Sequence, residues 1–182
     1  MRPLARLLPP GWFSPLDVAE YRYLVRSLPD KATMIEVGVF LGRSLCSVAD
    51  LIREKQIHLV AVDTFTKTHM LGHRPLKDTQ RAIFERQMTA RDLHPTIYAM
   101  PSLEAATQFP GRADFVFLDA DHAYPAVLAE IAAWRPKTTR VMGGHDYLPS
   151  PTPTPTNGVR RAVRESFSVI HLRGWVWSAG LV

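Results

Sequence analysis

Thr33-Met34-Ile35-Glu36-Val37-Gly38-Val39-Phe40-Leu41-Gly42-Arg43-Ser44 is the stretch on which the fold turns. Its first five residues are mostly apolar or β-branched and follow the breaker Pro29-Asp30, the pattern of a short strand buried on both faces. Gly38 and Gly42 then allow a tight turn and a close backbone approach to a ligand. From Ser44 onward, Leu45, Val48, Ala49 and Ile52 recur on one helical face, and His58 to Val62 (HLVAV) is a second buried-strand run. Strand, glycine turn, helix and strand make a βαβ unit.

The alternation continues on both sides of this unit. Ser14-Pro15-Leu16-Asp17 combines a cap residue, a proline at the first helical position and a carboxylate three residues after the cap, which predicts a helix over about 15 to 28. Downstream come a weaker helix near Asp78 to Met88, TIYAM from Thr96, DFVFL from Asp114, a helix from Pro125 to Trp134 and TRVM from Thr139. Strands alternating with helices imply a mostly parallel sheet with right-handed crossovers and helices on both faces. A short helix near Val159 to Phe167 leads to SVIHL and WVWSA, separated by too few residues for a helical crossover, so these two pair antiparallel. The predicted fold is α/β, Rossmann-like and doubly wound, with about seven strands and a C-terminal antiparallel hairpin.

Composition bounds what such a fold can be. With 182 residues and 46% hydrophobic content, the chain is expected to form one domain over 1–182, with residues 1–30 as an N-terminal helical extension and the Pro/Thr-rich 148–158 as a surface loop at the rim of the site. The single cysteine, Cys46, leaves no intrachain disulfide and no thiolate metal site. Prolines interrupt the first ten residues, and no run approaches the roughly 20 apolar residues of a membrane span, so a cytoplasmic protein with no membrane partner is expected. The net charge of +5 is spread along the chain, and its one dense group is Arg160, Arg161 and Arg164 at helical spacing. Without interleaved stacking aromatics, that group reads as a solvated helix face rather than a nucleic-acid surface.

In an open parallel sheet, ligands bind beyond the carboxyl ends of the strands, where the winding reverses. Glu36, Gly38 and Gly42 stand there after the first strand, and Asp63 stands after the second, placed to accept hydrogen bonds from ribose hydroxyls. A dinucleotide site would want a third glycine against the pyrophosphate. Its absence, together with Glu36, favours a ligand with an amino-acid moiety and a cationic centre.

The chain resembles the class I S-adenosylmethionine (SAM)-dependent methyltransferases, in particular a small subfamily with a D-x-D-H-x-Y segment and a later G-H-D-Y. Here these read Asp119-Ala120-Asp121-His122-Ala123-Tyr124 and Gly144-His145-Asp146-Tyr147, followed by Gly158-Val159-Arg160-Arg161-Ala162-Val163. The resemblance implies that Glu36, Gly38, Phe40, Gly42 and Ser44 surround the methionine part of the cofactor, that Asp63 binds the ribose, and that Ser102 and Leu103 lie near the adenine. Asp119 would also touch the cofactor. Structural roles stand beside these: Gly42 in helix packing, Phe40 in the core and Ser102 as a helix cap.

Methyl transfer from a sulfonium requires alignment of the acceptor and, for a hydroxyl, removal of its proton. Asp119, His122, His145 and Asp146 follow the fourth and fifth strands and are the candidate catalytic residues. More remotely, the chain resembles catechol and sugar O-methyltransferases, which implies Asp119 and Asp146 as ligands of a divalent cation. His145 stands where such enzymes carry a further acidic or amide residue, so magnesium, manganese, zinc and no metal all stay open. The expected function is O-methylation of a small molecule or sugar hydroxyl. The alternative is a non-catalytic SAM-binding module, or one that docks a partner or nucleic acid through the basic helix. Thr64 to Leu76, including Thr66, Lys67, Met70 and Arg74, is expected to cover the acceptor pocket, with His69 and His73 in the same segment. Association into a homo-oligomer is not specified by any motif.

Overall fold

The computed structural model describes residues 7–67, 69, 75–147 and 158–180. Helix α1 (Pro15–Ser27) begins where expected: Ser14 Oγ accepts from the Asp17 backbone N–H, and Asp17 returns a bond to the Ser14 N–H at 2.7 Å. Strand β1 (Thr33–Val37) follows, then α2 (Arg43–Ser47), α3 (Ala49–Glu54), β2 (His58–Val62), α4 (Gln80–Thr89) and β3 (Thr96–Tyr98). The second half comprises α5 (Ser102–Gln108), β4 (Ala113–Leu118), α6 (Tyr124–Trp134), a 3-10 turn Arg135–Lys137, β5 (Thr138–Gly144), α7 (Val159–Ser166), β6 (His171–Arg173) and β7 (Val176–Gly180).

The seven strands lie in the order β3-β2-β1-β4-β5-β7-β6. Pairings from β3 through β5 are parallel, and β7 pairs antiparallel with both β5 and β6. The predicted doubly wound sheet and terminal hairpin are therefore both present. Winding reverses between β1 and β4, which opens the crevice at their carboxyl ends.

Alternation along each strand feeds two cores. Met34, Ala61, Phe115 and Phe117 point to the face covered by α1 to α4, while Ile35, Val37, Val116 and Leu118 point to the face covered by α5 to α7. On the first face α1 is tied down by Arg22, whose guanidinium meets Asp50 at 2.6 Å and donates to the Ser47 carbonyl.

Some boundaries differ from expectation. The helix after the glycine turn breaks at Val48 (φ −117°, ψ 12°) into α2 and α3. Burial of both faces, not continuous helical geometry, places Leu45, Val48 and Ile52 in the core. The strand expected from Ser168 starts only at His171, because there it meets β7 in register. Helix α5 starts at Ser102 with Pro101 as its cap, which frees the Ser102 hydroxyl from a capping role. Arg161 and Arg164 are exposed on α7 as expected of a solvated face, and Arg161 is engaged by Glu165 at 2.9 Å and by the Tyr124 ring.

Candidate active site

At the carboxyl end of β1 the chain turns sharply against β4. Gly38 has φ +88° and donates its N–H to Val62 O at 2.8 Å, and a Cβ there would lie 2.2 Å from the Asp119 carbonyl oxygen. No L side chain fits that approach. Gly42, at φ +82°, precedes α2, and a Cβ there would lie 2.8 Å from the Met88 methyl and 3.1 Å from the Phe84 ring, so its left-handed backbone and its packing together favour glycine. Phe40 between them is also left-handed (φ 45°). Asp63 braces this turn: its Oδ2 accepts from the Phe40 N–H at 2.9 Å and its Oδ1 from the Phe65 N–H at 2.7 Å. The carboxylate keeps further lone pairs on the cleft side.

Around these elements lies one cleft of about 910 Å3, lined among others by Gly38, Phe40, Ser44, Asp63, Ser102, Leu103, Asp119, His122, His145 and Asp146. Of the residues expected at the cofactor, Glu36 and Gly42 are not in its wall. Glu36 is wholly buried beneath the glycine turn, where Ser44 Oγ donates to its Oε1 at 2.5 Å and the Tyr21 hydroxyl donates to its Oε2. Burial pushes its carboxyl up to about 8, although both hydrogen bonds pull the other way. At neutral pH it is mostly protonated, a neutral strut under the turn in which one of its oxygens carries the hydrogen and donates to its hydroxyl partner.

Toward the β3 side of the cleft, Ser102 Oγ accepts from Trp134 Nε1 at 3.0 Å. Beside it stands Glu130, a residue that the sequence reading did not single out, although it lines the cleft. Its carboxyl is buried and pushed up to about 7 by that burial. A signal existed: Val127, Glu130, Ile131 and Trp134 form the buried stripe of α6, and an acid in such a stripe is costly unless it has a task or a partner.

The four candidate catalytic residues do converge. His122 Nε2 lies 2.8 Å from Asp146 Oδ2, while His145 Nδ1 lies 3.4 Å from Asp146 Oδ2 and 3.7 Å from Asp119 Oδ1. Asp146 sits in the left-handed region at φ 57°, and its carboxylate meets both imidazoles. Burial would lower the His145 pKa, but Asp119 and Asp146 outweigh it and raise the imidazole to about 10. Asp146 is held well below the usual carboxylate range, where burial is overcome by His122 and His145, whereas burial raises Asp119. His122 is raised by Asp146.

Two further contributors come from the N-terminal segment and have no local sequence signal. Asp17, the capping-box acid of α1, lies with its Oδ2 3.3 Å from His145 Nε2. Gly11, Trp12 and Phe13 line the cleft, with the Trp12 ring 5.5 Å from that of Phe40. Arg43 fastens this strap by donating to the Phe13 and Pro9 carbonyls, each at 2.9 Å. Thr66, Lys67 and His69 also face the cleft. Met70, His73, Arg74 and the Pro/Thr stretch 148–157 lie outside the described residues. His58, His94 and His171 are exposed and away from the cleft.

The fold and the cleft define an α/β enzyme domain with a nucleoside-cofactor crevice at the β1/β4 switch. A family model described as a methyltransferase domain matches residues 35–147, and the chain belongs to that family. No curated protein matches it in sequence. Solved structures resemble it in fold at low identity. An O-methyltransferase from Bacillus cereus in complex with SAH is 15% identical with a TM-score of 0.64, covering 94% of this chain and 83% of that one. A SAM-dependent O-methyltransferase from Thermotoga maritima is 13% identical with a TM-score of 0.64, covering 100% of this chain and 72% of that one. Cofactor-bound Rv0187 from MTB is 14% identical with a TM-score of 0.66, covering 96% and 84%. Among the described residues no helix is long and apolar enough to cross a membrane.

Proposed function

We propose that this methyltransferase moves a methyl group from SAM to a hydroxyl oxygen of a small molecule or glycan. The observation that carries this reading is the meeting, in one cleft, of the Asp63-braced glycine turn with the Asp119, His122, His145 and Asp146 group. The cleft's volume is of the order needed for a cofactor and a modest acceptor together. Two solved relatives in fold carry O-methyltransferase names, and one of these was solved with SAH.

SAM supplies an electrophilic methyl on a sulfonium. Asp63 holds the ribose hydroxyls, the Gly38 turn receives the methionine portion, and Ser102 and Leu103 bound the adenine. The acceptor hydroxyl would lose its proton to His122, since His145 already holds its proton at neutral pH, as its oxygen bonds to the methyl carbon and the carbon–sulfur bond breaks. The products are a methyl ether, S-adenosylhomocysteine and one proton. Protein groups contribute chiefly by alignment, since in-line displacement is steeply sensitive to geometry.

A divalent cation is compatible with the donors present: Asp119, His145 and Asp146 each offer one atom, all within 4.8 Å of one another. Such an ion would lower the acceptor's pKa. We further read the chain as a cytoplasmic enzyme with no nucleic-acid partner.

The test is calorimetric titration with S-adenosylhomocysteine, followed by incubation with SAM and a panel of catechols, sugars and simple phenols while S-adenosylhomocysteine is quantified. Asp63→Ala is expected to weaken cofactor binding by about 10- to 100-fold, the cost of losing charge-assisted bonds. Absence of cofactor binding in the unaltered protein would end this reading.

A further inference from the structure

Glu130 shares the buried side of α6 with Val127, Ile131 and Trp134, yet it also lines the cleft together with Ala126, one helical turn earlier. Met100, Pro101, Ser102 and Leu103, which lead from β3 into α5, line the same cleft. Ala126 takes little space, and Leu103 is 48% exposed, so apolar surface is free to cover a flat ring on this side. Glu130 itself is only 5% exposed.

Hydrogen bonding fixes how its carboxyl is presented. Trp134 is wholly buried, and its Nε1–H donates to Ser102 Oγ at 3.0 Å. That bond occupies a lone pair of the hydroxyl, whose own hydrogen is then donated to the Glu130 carboxyl. One Glu130 oxygen is thereby engaged. The other keeps its lone pairs for whatever fills the cleft, and once a ligand has displaced water there, an acceptor without a donor is costly.

Purine cofactors differ at just such a point. Adenine carries an exocyclic amino group, a donor, where an oxopurine carries a carbonyl oxygen, an acceptor. Burial pushes the Glu130 carboxyl up to about 7, so at pH 8 its ionised form predominates, and a ligand donor favours that form further.

We propose that Glu130, oriented by the Ser102–Trp134 pair, reads the exocyclic amino group of the cofactor's base and so selects an adenosine cofactor over an oxopurine one. The assignment rests on the reading that Ser102 and Leu103 bound the adenine. It gives the acid on the core stripe of α6 a task, and it makes Ser102 the positioning residue for Glu130.

The experiment titrates the full chain calorimetrically at pH 8 with S-adenosylhomocysteine and with S-inosylhomocysteine, its deaminated analogue. The unaltered protein should bind the adenine compound at least about 100-fold more tightly, since the analogue sets a carbonyl oxygen against the carboxylate. Glu130→Gln keeps the shape and reverses the chemistry. Ser102, still accepting from Trp134, must donate to the amide oxygen, which leaves the amide NH2 toward the ligand. The variant should bind S-adenosylhomocysteine about 10- to 100-fold more weakly than the unaltered protein does, and should prefer S-inosylhomocysteine. A purely structural Glu130 would shift both affinities together, and that result overturns the proposal. Equal binding of the two compounds by the unaltered protein also overturns it, with no variant needed. Binding of neither compound refutes the cofactor reading itself, and the role of Glu130 falls with it.

Discussion

Glu36→Gln tests the buried carboxyl beneath the glycine turn. The carboxyl has a pKa of about 8 in the folded protein against 4.5 in the unfolded chain. The folded state therefore holds a proton that the unfolded chain has released, and the associated stability is complete below pH 4.5 and lost as pH climbs toward 8. Each pH unit within that window costs about 1.4 kcal/mol, so the folded protein forfeits about 3 kcal/mol from this group between pH 4.5 and 7. Glutamine has nearly the same shape and no titration. Its oxygen can accept from Ser44 or Tyr21, and its amide can donate to the other hydroxyl. The difference in unfolding free energy between Glu36→Gln and the unaltered protein is expected to move in favour of the variant by about 3 kcal/mol across this range, roughly 6 to 12 °C in Tm for a chain of this size. Urea melts of both proteins at half-unit pH intervals give the difference directly, since all other titrating groups cancel. A pH-independent difference, or one that moves toward the unaltered protein as pH rises, would refute the burial of an ionisable carboxyl under the glycine turn.

Two other perturbations probe the cleft's framework. Gly38→Ala forces a methyl group into the Asp119 carbonyl at φ +88°, and it should cost about 3 kcal/mol in denaturant melts and abolish S-adenosylhomocysteine binding; a loss under 1 kcal/mol would contradict the close approach of the two strand ends. Arg43→Ala removes both bonds to the strap at Pro9 and Phe13, and amide hydrogen exchange over residues 7–13 should quicken about tenfold while the β-strands stay protected; unchanged exchange there would mean that Arg43 is not its anchor.

The sheet and most of the cleft are legible in the chain alone. Strand runs such as HLVAV and DFVFL are legible because a strand buried on both faces needs continuous apolar residues, and Ser14, Pro15 and Asp17 mark a helix start through backbone bonds made within three residues. Asp63, Asp119, His122, His145 and Asp146 were legible for a related reason, since ligands in this architecture collect at strand ends and the strands were already placed. That Glu36 meets Tyr21 and Ser44 was settled by packing, because strand alternation sets the face of a side chain while the helices laid over that face set its partners. Nor could spacing reveal that Asp17 lies against His145, since the two meet only when α1 packs over the end of β5. The glycine turn at residues 38–42 shows both halves of this division. Local chain chemistry fixed the turn, and long-range packing decided that its glutamate is a buried strut while Asp63 faces the cleft.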